Sequence, residues 1–121
     1  MPTMELSALD LRLEHTRKRD SAYEKQLLSS IMERDILDPL LVSLCKETGG
    51  TVLVDGFKRY RCAEKLNKNI VMVEYIGEDV VDGVLSFIRR DQTGTLCILE
   101  QAALIEELHK KYGLGLSDIA R

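Results

Sequence analysis

The stretch that most constrains this chain is "LVDGFKRYRCAEKL", residues 53–66. A short apolar run ends at Asp55-Gly56, and a helix starts there whose first turns carry Lys58, Arg59 and Arg61. Cations at a helix start stand at the positive end of the dipole, where each is disfavoured by roughly 0.3–1 kcal/mol. A strand that turns through glycine into a helix also leaves backbone N–H groups directed outward, the arrangement that receives phosphate. Asp55 reads as the N-cap, and Gly56 as the point where another group approaches the backbone. A bound polyanion would reverse the dipole penalty, and the planar fork of arginine grips phosphate oxygens in pairs. The same cations also fit a plain solvated face, with Glu64 among the acids that could neutralise them.

The flanking sequence supplies the frame. "PLLVSLC" from Pro39, the turn residues "KETGG" and "TVLV" predict a β-hairpin that delivers the chain to Asp55. "IVMVEYI" at 70–76 predicts an interior strand. Val80, Val81, Val84, Leu85 and Ile88 predict a helix, with Glu78 and Asp79 suited to its N-terminal dipole. Tyr23, Leu27, Leu28 and Ile31 predict a helix over 21–34, with Ser21 and Glu24 as a capping box. A last helix over about 96–112 is expected to bury Leu99, Ala102, Ala103 and Leu108 and to end at Gly113. The opening "MELSALDLRL" reads as a short strand or an extended arm. Gly94-Thr95 breaks the chain, dividing it into units 1–92 and 93–121. At the end, Ser117 caps the first turn of another helix at Asp118–Arg121. One turn is unstable alone, so the chain reads as a domain with its continuation missing.

At 121 residues the chain is long enough for one real core. A net charge of −3 argues against nucleic-acid binding over the whole surface, so any anion site must be local. Cys45, Cys62 and Cys97 form an odd set without a C-x-x-C pair, which fits a reducing cytosol and core packing. No apolar run reaches the length of a membrane span, and the N-terminus lacks the layout of a signal peptide. The expected location is cytoplasmic. His15 and His109 have no metal-ligand spacing. Glu106, Glu107, Asp79 and Asp82 read as solvated helix-face acids. Phe57 reads as a core anchor at the helix start. Tyr60 either stacks on a base or covers the helix flank.

Taken together, "LLSSIMERDILDPLLV", "TVLVDGFKRYRCAEKLN" and "IVMVEYI" resemble the N-terminal domain of the ParB-like proteins, a family that shares its fold with sulfiredoxin. Ser30-Ile31 and Asp38-Pro39 match the "SI…G" and "QP" elements approximately, and residues 55–63 match the "DGxRRxRAA" box. The resemblance covers roughly residues 5–121, and "YGLGLSDIAR" is similar to the start of the helix-turn-helix that follows the domain. It implies an α+β fold, a small mixed sheet flanked by helices with a C-terminal helical extension. It also implies that Gly56, Lys58, Arg59 and Arg61 hold the phosphates of CTP, with magnesium. Arg17 would take the place of the upstream family arginine, and the turn at Leu37-Asp38-Pro39 would lie near the base. The implied partners are nucleotide, DNA through the region beyond Arg121, and a second copy in a homodimer. The alternative is a DNA-binding accessory protein that has lost the nucleotide and sets the basic box on DNA phosphates.

Two departures bear on catalysis. Phe57 stands where the family has an acidic residue, and "RRDQTGTLCILEQA" stands where a second box near "ENxQRxxLNPIEEA" is expected. Weak CTP hydrolysis is implied by the resemblance alone. Sulfiredoxin chemistry is not expected, because Phe57 and Lys58 stand where its "GGCHR" box puts the cysteine and histidine.

Overall fold

A computed structural model describes residues 2–34, 38–90 and 96–113. The chain runs β1 (Thr3–Glu5), a 3-10 turn, β2 (Leu9–Asp10), a second 3-10 turn (Glu14–Thr16), α1 (Ser21–Arg34), β3 (Leu40–Leu44) and β4 (Thr51–Asp55). It continues through α2 (Phe57–Lys65), β5 (Ile70–Gly77), α3 (Val80–Arg90) and α4 (Ile98–Tyr112). The expected α+β class is observed, as a mixed sheet with helices around it.

The five strands lie in the order β1-β5-β3-β4-β2. β3 and β4 form the expected antiparallel hairpin, with a register shift between Leu41 and Val42. The turn residue Gly49 adopts φ 72°, and the Gly49 N–H donates to the Cys45 carbonyl at 2.8 Å. β5 is interior, parallel to β3 on one side and antiparallel to β1 on the other. Its burial alternates: Val71 and Val73 are buried while Ile70 and Tyr75 are exposed.

The opening segment is both strand and arm, and it forces the sheet to curl. Glu5 pairs on the β5 edge, yet Leu9 pairs on the β4 edge. Four strand spacings in a flat sheet would separate those edges by ~19 Å. Four residues span at most ~14 Å even when fully extended. The sheet therefore bends round until its two edges come within reach of one short connection.

One apolar core fills the curl, with Leu40, Val42, Val52, Leu53 and Val73 wholly buried on the strands. Phe57, Tyr60 and Ala63 from α2, Val84 and Phe87 from α3, and Leu96, Leu104 and Leu108 around α4 join it. Each large apolar side chain buried in this way contributes roughly 1.5–3 kcal/mol.

Three local expectations are corrected. α1 is started by Asp20, whose carboxylate accepts the Tyr23 N–H at 3.0 Å; Glu24 is instead buried and used elsewhere. The predicted apolar face of α1 is only partly covered: Ile31 is buried, Leu27 and Leu28 are half-buried, and Tyr23 is exposed. On α4 Leu99 is 65% exposed, and the buried stripe is Glu100, Leu104, Glu107 and Leu108. The capping box predicted for α1 is found on α4, where the Glu100 carboxylate accepts the Cys97 N–H at 3.1 Å. Gly113 closes α4 in the left-handed region, as expected. The Gly94-Thr95 break, the turn residue Leu37 and the incipient helix from Ser117 lie outside the described residues.

Candidate functional site

β4 carries the chain into Gly56, and α2 starts immediately after it. Gly56 has φ 106°, which L side chains avoid, and a Cβ there would stand 2.6 Å from Leu40 Cδ2. The close neighbour that requires glycine is thus Leu40 of β3. Asp55 is not the helix cap. Gly56 takes that position, and no side chain caps the first turn of α2. The Asp55 carboxylate turns to the cations instead: Oδ1 accepts Arg17 Nη1 at 2.5 Å, and Oδ2 lies 3.8 Å from Arg59 Nη2.

Around this turn opens a cleft of about 520 Å³. Gly56, Lys58, Arg59, Arg61, Arg17 and Asp38 all line it, so the six residues singled out in the sequence come together. Lys18, Tyr23, Leu27, Asp55 and Phe57 line it as well. Five cations therefore face one depression in a chain whose net charge is negative.

Each cation is differently held. Arg59 Nη1 donates to the Asp38 and Pro39 carbonyls, both at 3.1 Å, which ties α2 to the turn before β3. The Lys58 ammonium stands 5.0 Å from the centre of the Tyr23 ring. Arg17 is shared between Asp55 and Glu100, whose carboxylate accepts its Nε at 2.9 Å, and the guanidinium lies 5.6 Å from the Phe87 ring centre. Arg61 is 8% exposed, and its guanidinium is held by Glu24, with Nε donating at 2.8 Å, and by Glu14 at 2.9 Å. A second bond runs from Nη2 to the same Glu24 oxygen.

The carboxylates record this engagement. Burial alone would raise Glu100, but the Arg17 hydrogen bond and the N–H groups of Lys18 and Cys97 bring it down to about 2. The Arg61 hydrogen bond holds Glu24 below the ordinary range despite burial. A carboxyl depressed in the fold lends stability above its unfolded pKa and loses it as pH falls through the folded value. Stability is therefore expected to fall from about pH 4.5 toward pH 2, and Glu100→Gln is expected to flatten that slope by on the order of 3 kcal/mol. Urea denaturation at several pH values reads the difference.

The sequence reading missed Glu24, Glu100 and Glu107 as buried polar partners. Glu107 was expected on a solvated face, yet it is buried and accepts His15 Nε2 at 2.6 Å. A carboxylate at an apolar phase of a helical stripe was the available signal. Phe57 and Cys62 are buried as expected, and Tyr60 covers the helix flank in the core. Tyr60 does not line the cationic cleft.

No protein-family model and no curated protein sequence matches this chain. Solved structures do. The C-terminally truncated chromosome-partitioning protein ParB from Caulobacter crescentus, complexed with CTP-gamma-S, aligns at TM-score 0.62 and 24% identity, over 98% of this chain and 68% of that one. The same protein complexed to the centromeric parS site aligns at TM-score 0.59 and 22% identity, over 99% of this chain and 63% of that one. Sulfiredoxin from Arabidopsis thaliana aligns at TM-score 0.57 and 22% identity, over 64% of this chain and 85% of that one. The chain thus spans about two thirds of the partition proteins it matches. At these identities the likeness is one of fold, and the chain has the fold that ParB N-terminal domains share with sulfiredoxin.

Proposed function

We propose that the cleft at the start of α2 binds the phosphate chain of a nucleoside triphosphate, CTP first, within a ParB-like DNA-associated protein. The observation that carries this is the convergence of Arg17, Lys18, Lys58, Arg59 and Arg61 with the uncapped first turn of α2 on one open cleft. Cationic side chains and a helix N-terminus act in the same direction on an anion. The solved ParB neighbour that holds CTP-gamma-S supports the choice of ligand.

In this reading Gly56, Lys58, Arg59 and Arg17 contact phosphate oxygens. Arg61 lends its charge from the wall while Glu24 and Glu14 hold it in place. Asp38 marks the side of the cleft that takes the base. Magnesium bound with a polyphosphate keeps most of its waters and needs only one or two protein carboxylates. Asp55, beside the cations that face the phosphates, fits that sparse demand. Among the described residues, no group of three acidic, histidine or cysteine side chains gathers to hold an ion without a phosphate ligand.

DNA is the partner of the wider protein in this reading, engaged through residues beyond Arg121, and two copies would assemble as a homodimer. Among the described residues no helix is long and apolar enough to cross a membrane. Thermal denaturation with each of the four nucleoside triphosphates, with and without magnesium, tests the reading. CTP with magnesium is expected to raise the melting temperature by several degrees, as ligand well above Kd does by mass action. No shift with any of the four contradicts it. Salt-steep DNA binding lost in Arg59→Ala would then assign the basic box to DNA phosphates instead.

A further inference from the structure

Tyr23 is the one aromatic residue among the cleft-lining side chains that stays open to solvent, at 50% exposed; Phe57, the other aromatic there, is buried. It stands in the first turn of α1, with Leu27 one turn further along and also lining the cleft. An exposed tyrosine on a cationic wall is poorly explained by packing, since half of it is left open to solvent. The Lys58 ammonium lies against its ring, and Lys58 lines the same cleft. That contact sets the ring beside a cation of the cleft.

From this geometry we infer that Tyr23 is the platform on which the planar base of the ligand stacks, and that it selects nucleotides over inorganic polyphosphate. The inference rests on the reading of the cleft as a triphosphate site. An ammonium held by a ring face is held weakly, whereas a phosphate offers it a full negative charge. A triphosphate in the cleft draws Lys58 off the ring and vacates the face that the base then covers. Leu27 extends the apolar surface under the base. Stacking on an aromatic ring tolerates any base. Tyr23 accordingly sets the class of ligand and leaves discrimination among bases to hydrogen bonding elsewhere.

Calorimetric titration of sodium tripolyphosphate and of CTP, each with magnesium, into the wild type, Tyr23→Ala and Tyr23→Phe tests this. The wild type is expected to bind CTP about tenfold more tightly than tripolyphosphate, the scale of one base–aromatic stack. Tyr23→Ala is expected to remove that margin while leaving tripolyphosphate affinity within about twofold, since stacking tolerates ring identity and only the base arm is lost. Tyr23→Phe is expected to keep the margin. CTP affinity unchanged in Tyr23→Ala, or both ligands weakened equally, overturns the platform. Failure of the wild type to bind either ligand overturns instead the triphosphate reading beneath it. Melting temperatures of the three proteins confirm that the fold is retained, as expected for an exposed position.

Discussion

Lys58→Ala combined with Arg59→Ala is expected to weaken triphosphate binding by about 100-fold or more, because each charge-assisted hydrogen bond to phosphate contributes roughly 1.5–3 kcal/mol. The two side chains do not carry equal structural duties. Lys58 is held by the Tyr23 ring alone among the described residues, so Lys58→Ala should leave stability nearly unchanged. Arg59 also fastens the Asp38 and Pro39 carbonyls, so Arg59→Ala should lower stability modestly as well as affinity. Calorimetry on the single variants separates the two effects. Binding unchanged in the double variant would mean that these cations are a solvated face, the plainer interpretation of their place in the helix.

Glu24→Ala should be the most destabilising change at the site. It leaves the buried Arg61 guanidinium with Glu14 alone, and breaking a buried ion pair from one side costs about 3–5 kcal/mol. For a chain of this size that lowers the melting temperature by roughly 10 °C or more. The paired replacement Glu24→Leu with Arg61→Met should recover most of the loss, since it removes both charges and keeps apolar volume. Chemical denaturation of the single and paired variants gives the coupling directly. A Glu24→Ala protein as stable as the wild type would show that Arg61 is free to reach the ligand.

The helix-dipole anomaly in "DGFKRYR" resolves into three different situations. Arg61 is neutralised inside the protein by acids contributed by α1 and the preceding 3-10 turn. Arg59 is spent partly on backbone carbonyls. Lys58 is left against an aromatic ring, the weakest of the three engagements. A sequence window of fourteen residues contains the cations but none of those partners apart from Asp55.

That separation explains what was legible. The hairpin, α2, β5 and α3 were readable because their signals are local: turn residues, alternation and the 3.6-residue period. The opening arm was ambiguous because its two short strands take meaning only from β5 and β4, far along the chain. Glu24 was read as a local cap and Glu107 as a solvated acid, and Glu100 was given no buried partner, because the groups they bind, Arg61, His15 and Arg17, lie 37, 92 and 83 residues away in sequence. The phase of α4 was misread because apolar residues run almost continuously from Ile98 to Leu99 and from Ala102 to Ile105. Period alone cannot choose a face there. The buried Glu100, tied to Arg17, does. The six candidate residues were found together because the glycine turn and its neighbours form one physical unit, joined by Arg17 through Asp55.

The central claim is that the start of α2 is a triphosphate site, and amide chemical-shift mapping with CTP and magnesium tests it most directly. The account predicts that the largest shifts centre on residues 56–59 at the start of α2 and on Arg17 and Lys18, which line the cleft. Shifts that are absent at saturating CTP, or that centre away from this turn, would contradict it.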